Sequence, residues 1–185
     1  MLTTDQKGAI AETAIAHEAT KLGIEVYRPI AEGGRFDMIF LLGDELVRVQ
    51  CKWASRVGDV LIVRCYSCRR ARDGFPKRRY TPAEIDAIAA YSPDLGQCFY
   101  VPIGVVGRRH DLRLRIGPTR NHQQQLVTWA RDYEFAATLS RYGAIAQLGE
   151  RCHGMAEVVG SSPTGSITEV GRATGGTPRT GARFD

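Results

Sequence analysis

No apolar run in these 185 residues approaches the roughly 18 that a membrane-spanning helix needs. The N-terminus, MLTTDQKGAI, lacks the charged-then-apolar order of a secretory signal, so the chain is expected to stay in the cytoplasm. Cysteine is scarce: five residues, an odd number without regular spacing, which excludes a disulfide framework and predicts free thiols. Cys65 and Cys68 make one C-x2-C pair. A structural zinc site takes four ligands, and neither the isolated cysteines nor His110 and His122 supply a second pair at matching spacing. No internal repeat is evident. What is present describes an ordinary soluble chain: 43% hydrophobic and 24% charged residues, enough for one domain with a real core. The formal net charge of +5 favours a polyanion as partner.

Along the chain, Thr3-x-x-Gln6 is a capping box, and few breakers follow before Gly23, which predicts a helix over residues 4–22. Residues 24–29 read as a short strand ending in a Gly33-Gly34 turn. Residues 36–42 and 45–52 are β runs joined around Gly43-Asp44, a predicted hairpin. A further strand is expected over 60–66, then a basic loop over 67–80. Thr81-Pro82-Ala83-Glu84 looks like a helix start, Thr at N-cap and Pro at N1, with the helix running to about Tyr91 and Asp86 pinning it. A strand over 98–103 and a last helix over 121–133, with Leu126, Trp129 and Ala130 on one side, complete the order. The expectation is an α/β (α+β) fold: a central mixed β-sheet flanked by helices, one domain over 1–137. Residues 138–185 are expected as an unstructured tail rich in Gly, Ser and Thr.

The stretch RFDMIFLLGDELVRVQCKW, residues 35–53, holds the chemistry. Period two places Gln50 and Lys52 on one strand face, with Asp37 at the start of the strand before it. Phosphodiester hydrolysis needs a divalent metal to neutralise the phosphate and activate a water. Magnesium takes hard oxygen ligands, commonly one or two carboxylates with substrate and water oxygens. Asp37 supplies a carboxylate and Lys52 a cation near the developing charge. Gln50 offers a carbonyl oxygen and Cys51 a backbone carbonyl. Glu12 supplies a second acid if the first helix packs beside the strand ends. The blander alternatives are a cross-strand Asp37–Lys52 ion pair and a solvated Glu12. A lysine inside an apolar strand argues against the first.

Asp37, twelve residues, then Gln50-x-Lys52 resembles the PD-(D/E)XK nuclease signature, and Glu12 within KGAIAE matches its upstream helix glutamate. KGAIAE, RFDMIF, RVQCK, YTPAEIDAIAAY and CFYVPI, in that order, are similar to group I intron-encoded homing endonucleases of that superfamily, over about residues 3–135. The resemblance implies a restriction-endonuclease-like fold and a Mg²⁺-dependent endonuclease, with Mn²⁺ as a substitute. It implies Asp37, Gln50, Lys52 and Glu12 as catalytic residues, and Asp37, Glu12 and the Cys51 carbonyl as metal ligands. Gln50 departs from the commonest form, in which an acid stands there. Double-stranded DNA is the implied partner. One site per chain implies a homo-oligomer, dimer or tetramer, to cut both strands. The rivals are a Holliday-junction-type resolving nuclease and a DNA-binding module whose site has lapsed.

Residues 69–79, RRARDGFPKRR, carry six basic side chains in eleven positions: Arg69, Arg70, Arg72, Lys77, Arg78 and Arg79. Neutralising phosphates is what such residues do on DNA, and the Gly74 and Pro76 breaks suit a loop entering a groove. The alternative is a solvated surface loop. Arg64 and Tyr66 lead into it. The tail, GAIAQLGERCHGMAEVVGSSPTGSI over 143–167, resembles the product of a frame that runs through a transfer RNA gene. Permitted codons for Ala146 to Arg151 spell a D-arm, and those for Gly160 to Pro163 contain a T-loop. Gly143 and Ala144 can pair with Thr164 to Ser166 as an acceptor stem, and Cys152 to Ala156 can close an anticodon stem.

Overall fold

The computed structural model describes residues 1–141 apart from 32, 69–73, 75 and 120–123. The capping box forms: Gln6 N–H donates to Thr3 Oγ1 (3.2 Å) and Thr3 N–H to Gln6 Oε1 (2.9 Å). Helix α1 (Thr4–Lys21) therefore starts with end donors satisfied. It stops at Gly23, whose φ of 72° is left-handed. Gly23 N–H then reaches Thr20 O at 2.8 Å, and Ile24 N–H reaches Ala19 O at 3.0 Å. Ala11, Ile15 and Ala19, each four apart, bury a single stripe. No described helix is long and apolar enough to cross a membrane.

The strands are β1 (Glu25–Tyr27), β2 (Met38–Leu42), β3 (Glu45–Val57), β4 (Val60–Arg64), β5 (Tyr66–Cys68), β6 (Lys77–Arg79), β7 (Ala87–Ser92), β8 (Gln97–Pro102) and β9 (Asp111–Arg115). A one-turn helix α2 (Ile103–Val106), a 3-10 turn (Ala130–Tyr133) and α3 (Phe135–Arg141) complete the described chain. Among the described residues seven strands form one mixed sheet, and β5 and β6 pair separately. β3 is its axis. Glu45–Val49 pair with β2, Val49–Trp53 run parallel to β7, and Ala54–Val57 pair with β4. One core, with Ile15, Phe40, Val49, Phe135 and Leu139, lies between the sheet and helices α1 and α3. The other, with Ala54, Leu61, Ile88, Leu112 and Val106, lies on the opposite face. The expected mixed sheet flanked by helices is what forms.

Four elements differ from expectation. The helix predicted from Thr81 to Tyr91 is one turn followed by a strand. Thr81 O accepts from Glu84 N–H (2.9 Å) and Ile85 N–H (3.1 Å), so the start signal is obeyed. Residues 87–90 are then all buried between two layers, where a central parallel strand fits. The predicted helix over 121–133 survives in its described part only as the 3-10 turn. Leu126, fully exposed at a φ of 60°, faces no core, and Trp129 bridges Arg115. Within the basic loop over 67–80, residues 66–68 and 77–79 form a β-ribbon. Helix α3 runs across residue 137, with Thr138 and Leu139 buried. Unforeseen altogether is β9, whose DLRLR alternates cleanly, with Leu112 and Leu114 buried. Of the expected tail, residues 142–185 lie outside the described residues.

Candidate active site

β2 leaves β3 at Val49 and β4 joins it only at Ala54. Between those points the only strand pairing of β3 among the described residues is with β7. Alternate residues of β3 turn their backbone groups toward β7, so Cys51 turns its N–H and C=O to the other, open side. Asp37 fills the gap. The residue's own N–H donates to Val49 O (2.9 Å), continuing the ladder for one step. Asp37 Oδ2 then accepts the Cys51 N–H at 2.8 Å, replacing the strand partner that is missing there. The Cys51 carbonyl faces the same side as that carboxylate.

Gln50 and Lys52 share the other face of β3 from Val49 and Cys51, as period two predicts. Gln50, itself buried, donates its Nε2 to the same Asp37 Oδ2. An ionised carboxylate only accepts, so the amide nitrogen must be the end that meets it. Both of these bonds to Asp37 fall on Oδ2, which leaves Oδ1 to meet a cation. Burial raises the Asp37 carboxyl above its ordinary value; the Cys51 N–H, Lys52, Arg28 and Gln50 all act to lower it. Burial likewise lowers the Lys52 ammonium, against the pull of Asp37. Lys52 and Asp37 attract each other but make no direct ion pair among the described residues. Lys52 Nζ instead donates to Tyr80 Oη at 2.9 Å.

Glu12 reaches this region from α1. With Asp37 its charge adds to the raising of the Cys51 thiol, which burial already pushes far up. Glu12 is ion-paired to Arg28, whose exposed side chain also acts on Asp37. Among the described residues no three His, Cys, Asp or Glu side chains cluster to hold a metal. Asp37 and Glu12 are hard oxygen donors of the kind a divalent ion takes beside a phosphate.

Of the basic cluster, Arg69, Arg70 and Arg72 lie outside the described residues. Lys77, Arg78 and Arg79 form exposed β6: Lys77 sits 5.1 Å from the centre of the Tyr66 ring, Arg78 pairs with Glu84, and Arg79 donates to Arg108 O at 2.8 Å. Arg64, at the end of β4, is exposed. Asp86 pins β7 rather than a helix, accepting the Arg48 N–H (2.8 Å) and both ends of its guanidinium. The Cys65 thiol is buried and pushed up to about 11. Arg28, Arg35 and Tyr80 were not foreseen, and no spacing marks them; they meet the site only through the folded chain.

A search of curated proteins finds no match. Among solved structures, the bacterial homing endonuclease I-Ssp6803I superposes with a TM-score of 0.62 at 22% identity, covering 81% of this chain and 97% of that one. That likeness shows the fold. The family model for PD-(D/E)XK endonucleases matches residues 2–136, and the chain belongs to that family.

Proposed function

We propose that this endonuclease is a Mg²⁺-dependent, homing-type enzyme that cleaves both strands of DNA at a specific site, working as a dimer or tetramer. The observation that supports it most is the grouping of Asp37, Gln50 and Lys52 at the one stretch of β3 left open between β2 and β4. Asp37 and Glu12 would hold the ion with the Cys51 carbonyl. When bound, the metal neutralises phosphate charge and lowers the pKa of a water. Gln50 and the Cys51 N–H hold Asp37 in one orientation. The Gln50 N–H favours ionised Asp37 but brings no charge of its own, so the site carries one negative charge fewer than it would with an acid at position 50. Lys52 presents a cation to the nucleophile or to the charge that develops on the scissile phosphate. Arg28 guards Glu12 and must yield it when a divalent ion is held.

Arg69, Arg70, Arg72, Lys77, Arg78 and Arg79 would neutralise DNA phosphates. The tail beyond Tyr142 is read as translated transfer RNA gene, an idea that the gene's codons test directly: they must fold into a cloverleaf. Incubation with a long duplex carrying the gene's own flanking DNA tests the function. One double-strand cut with Mg²⁺, and none with EDTA, is expected. Cutting of four-way junctions whatever their sequence would favour resolution instead. Binding without cleavage in Mg²⁺ or Mn²⁺ would mean a lapsed site, which Gln50 in place of an acid makes the natural rival.

A further inference from the structure

Tyr80 stands between β6 and the turn into β7, and it is only 5% exposed. Buried tyrosine hydroxyls take hydrogen-bond partners, and one partner here is the ammonium of Lys52, 2.9 Å away. The same Nζ lies 5.0 Å from the centre of the Tyr80 ring. Arg35 packs on that ring too, its guanidinium carbon 4.4 Å from the centroid. Arg35 is held in turn by the basic ribbon and the turn beyond it. It donates to Ser67 Oγ (2.6 Å) in β5, to Arg79 O (2.7 Å) at the end of β6, and to Glu84 Oε2 (3.0 Å).

A lysine side chain has about 2 kcal/mol of rotamer freedom to lose, and a cation that must meet one phosphate works best when already placed. Attraction to Asp37 alone would draw the ammonium toward the carboxylate and spend its charge there. A phenol oxygen holds it without neutralising it. We propose that Tyr80 is a positioning residue of the active site: its hydroxyl sets the Lys52 ammonium. Arg35 locks the Tyr80 ring to the β5–β6 ribbon, so that the lysine and the DNA-facing ribbon keep one register. The inference rests on the nuclease reading of the site. Filling the core requires only the ring, which a phenylalanine supplies equally well. The hydroxyl is therefore the group that separates positioning from packing.

The test is Tyr80→Phe in the full chain. Its single-turnover cleavage rate should fall about ten- to a hundredfold, the worth of a hydrogen bond to a charged group. DNA affinity should stay within about twofold and the melting temperature near that of the parent. A second readout needs no activity. The chain has four lysines, so the Lys52 ammonium can be assigned in a proton–nitrogen spectrum. Its slowed proton exchange should be present in the parent and lost in Tyr80→Phe. A parent-like cleavage rate in Tyr80→Phe, or an unchanged Lys52 signal, overturns the proposal. If the parent protein cuts no DNA under any metal condition, the nuclease reading fails instead, and the ammonium signal alone decides the role of Tyr80.

Discussion

Two demands on Asp37 pull in opposite directions. As the proposed metal ligand it would have to be ionised, yet it is placed where burial favours its neutral form, and its folded-state pKa lies above the usual 3.8. The folded state therefore holds the proton more tightly than the unfolded chain. Stability falls as pH rises from 3.8 through that raised value and stays lower above it. Asp37→Asn keeps an oxygen for both Gln50 and the Cys51 N–H while removing the charge. It should melt higher than the parent at neutral pH, with the gain vanishing in acid, while cleavage is lost. Calorimetry across pH checks the sign: a lower melting temperature at neutral pH would mean that the carboxylate is stabilised where it stands.

Among the elements, β7 shows best what the sequence made legible and what it hid. Thr81-Pro82-Ala83-Glu84 signals a helix start, and one turn does form. Helical propagation fails because Ala87 and Ala89 must pack into the core under α1 while Ile88 and Ala90 pack into the other. A segment buried on both faces shows no period, so its alanines read as helix formers, and tertiary packing overrides that preference. β3 was legible because one half of it alternates, and α1 because its cap is spelled out. The juxtaposition of Asp37 with Gln50, on which the proposed site rests, follows from the β2–β3 hairpin that the sequence spells out. Arg35 and Tyr80 were not legible, since their contacts join segments far apart in the chain. Asp86 anchors β7 to β3 through Arg48, which holds its carboxyl below the ordinary 3.8. That contribution is present above 3.8 and disappears as pH falls through the lowered value. Asp86→Asn should cost about 1 kcal/mol at pH 7, a modest figure because the pair is partly exposed, and less near pH 2. An equal loss at both pH values would show that packing, not charge, makes the anchor.

Taken as a whole molecule, the chain ends its described packing at α3. Leu139 is fully buried beside Phe40 and Phe135 in the core under α1. A chain cut after Ala137 should lose about 2–5 kcal/mol with that leucine, whereas one cut after Arg141 should melt, associate and cleave as the full chain does. Loss of melting temperature or of oligomeric state in the longer fragment would show that residues beyond 141 had been recruited into the structure. The basic ribbon belongs to this scale as well, because arginines that neutralise phosphates act through the net field. Replacing Arg69, Arg70, Arg78 and Arg79 by alanine should weaken DNA binding and reduce its salt slope by about 1 for each phosphate that is no longer neutralised. A salt slope equal to that of the parent would mean that these arginines neutralise no DNA phosphate.

The reaction proposed here depends on Lys52, a cation held inside a strand near the half-buried carboxylate of Asp37. Lys52→Met removes the charge while keeping much of the side chain's bulk, and burial already disfavours the ammonium, so the variant should fold at least as well as the parent. The decisive measurement is single-turnover cleavage of a target duplex in Mg²⁺ by parent and Lys52→Met proteins, with DNA binding followed in parallel. The expected result is site-specific cutting by the parent and cutting reduced by at least about a thousandfold in the variant, with affinity kept within a few fold. Cleavage by Lys52→Met at the parent rate would contradict the assignment of the site.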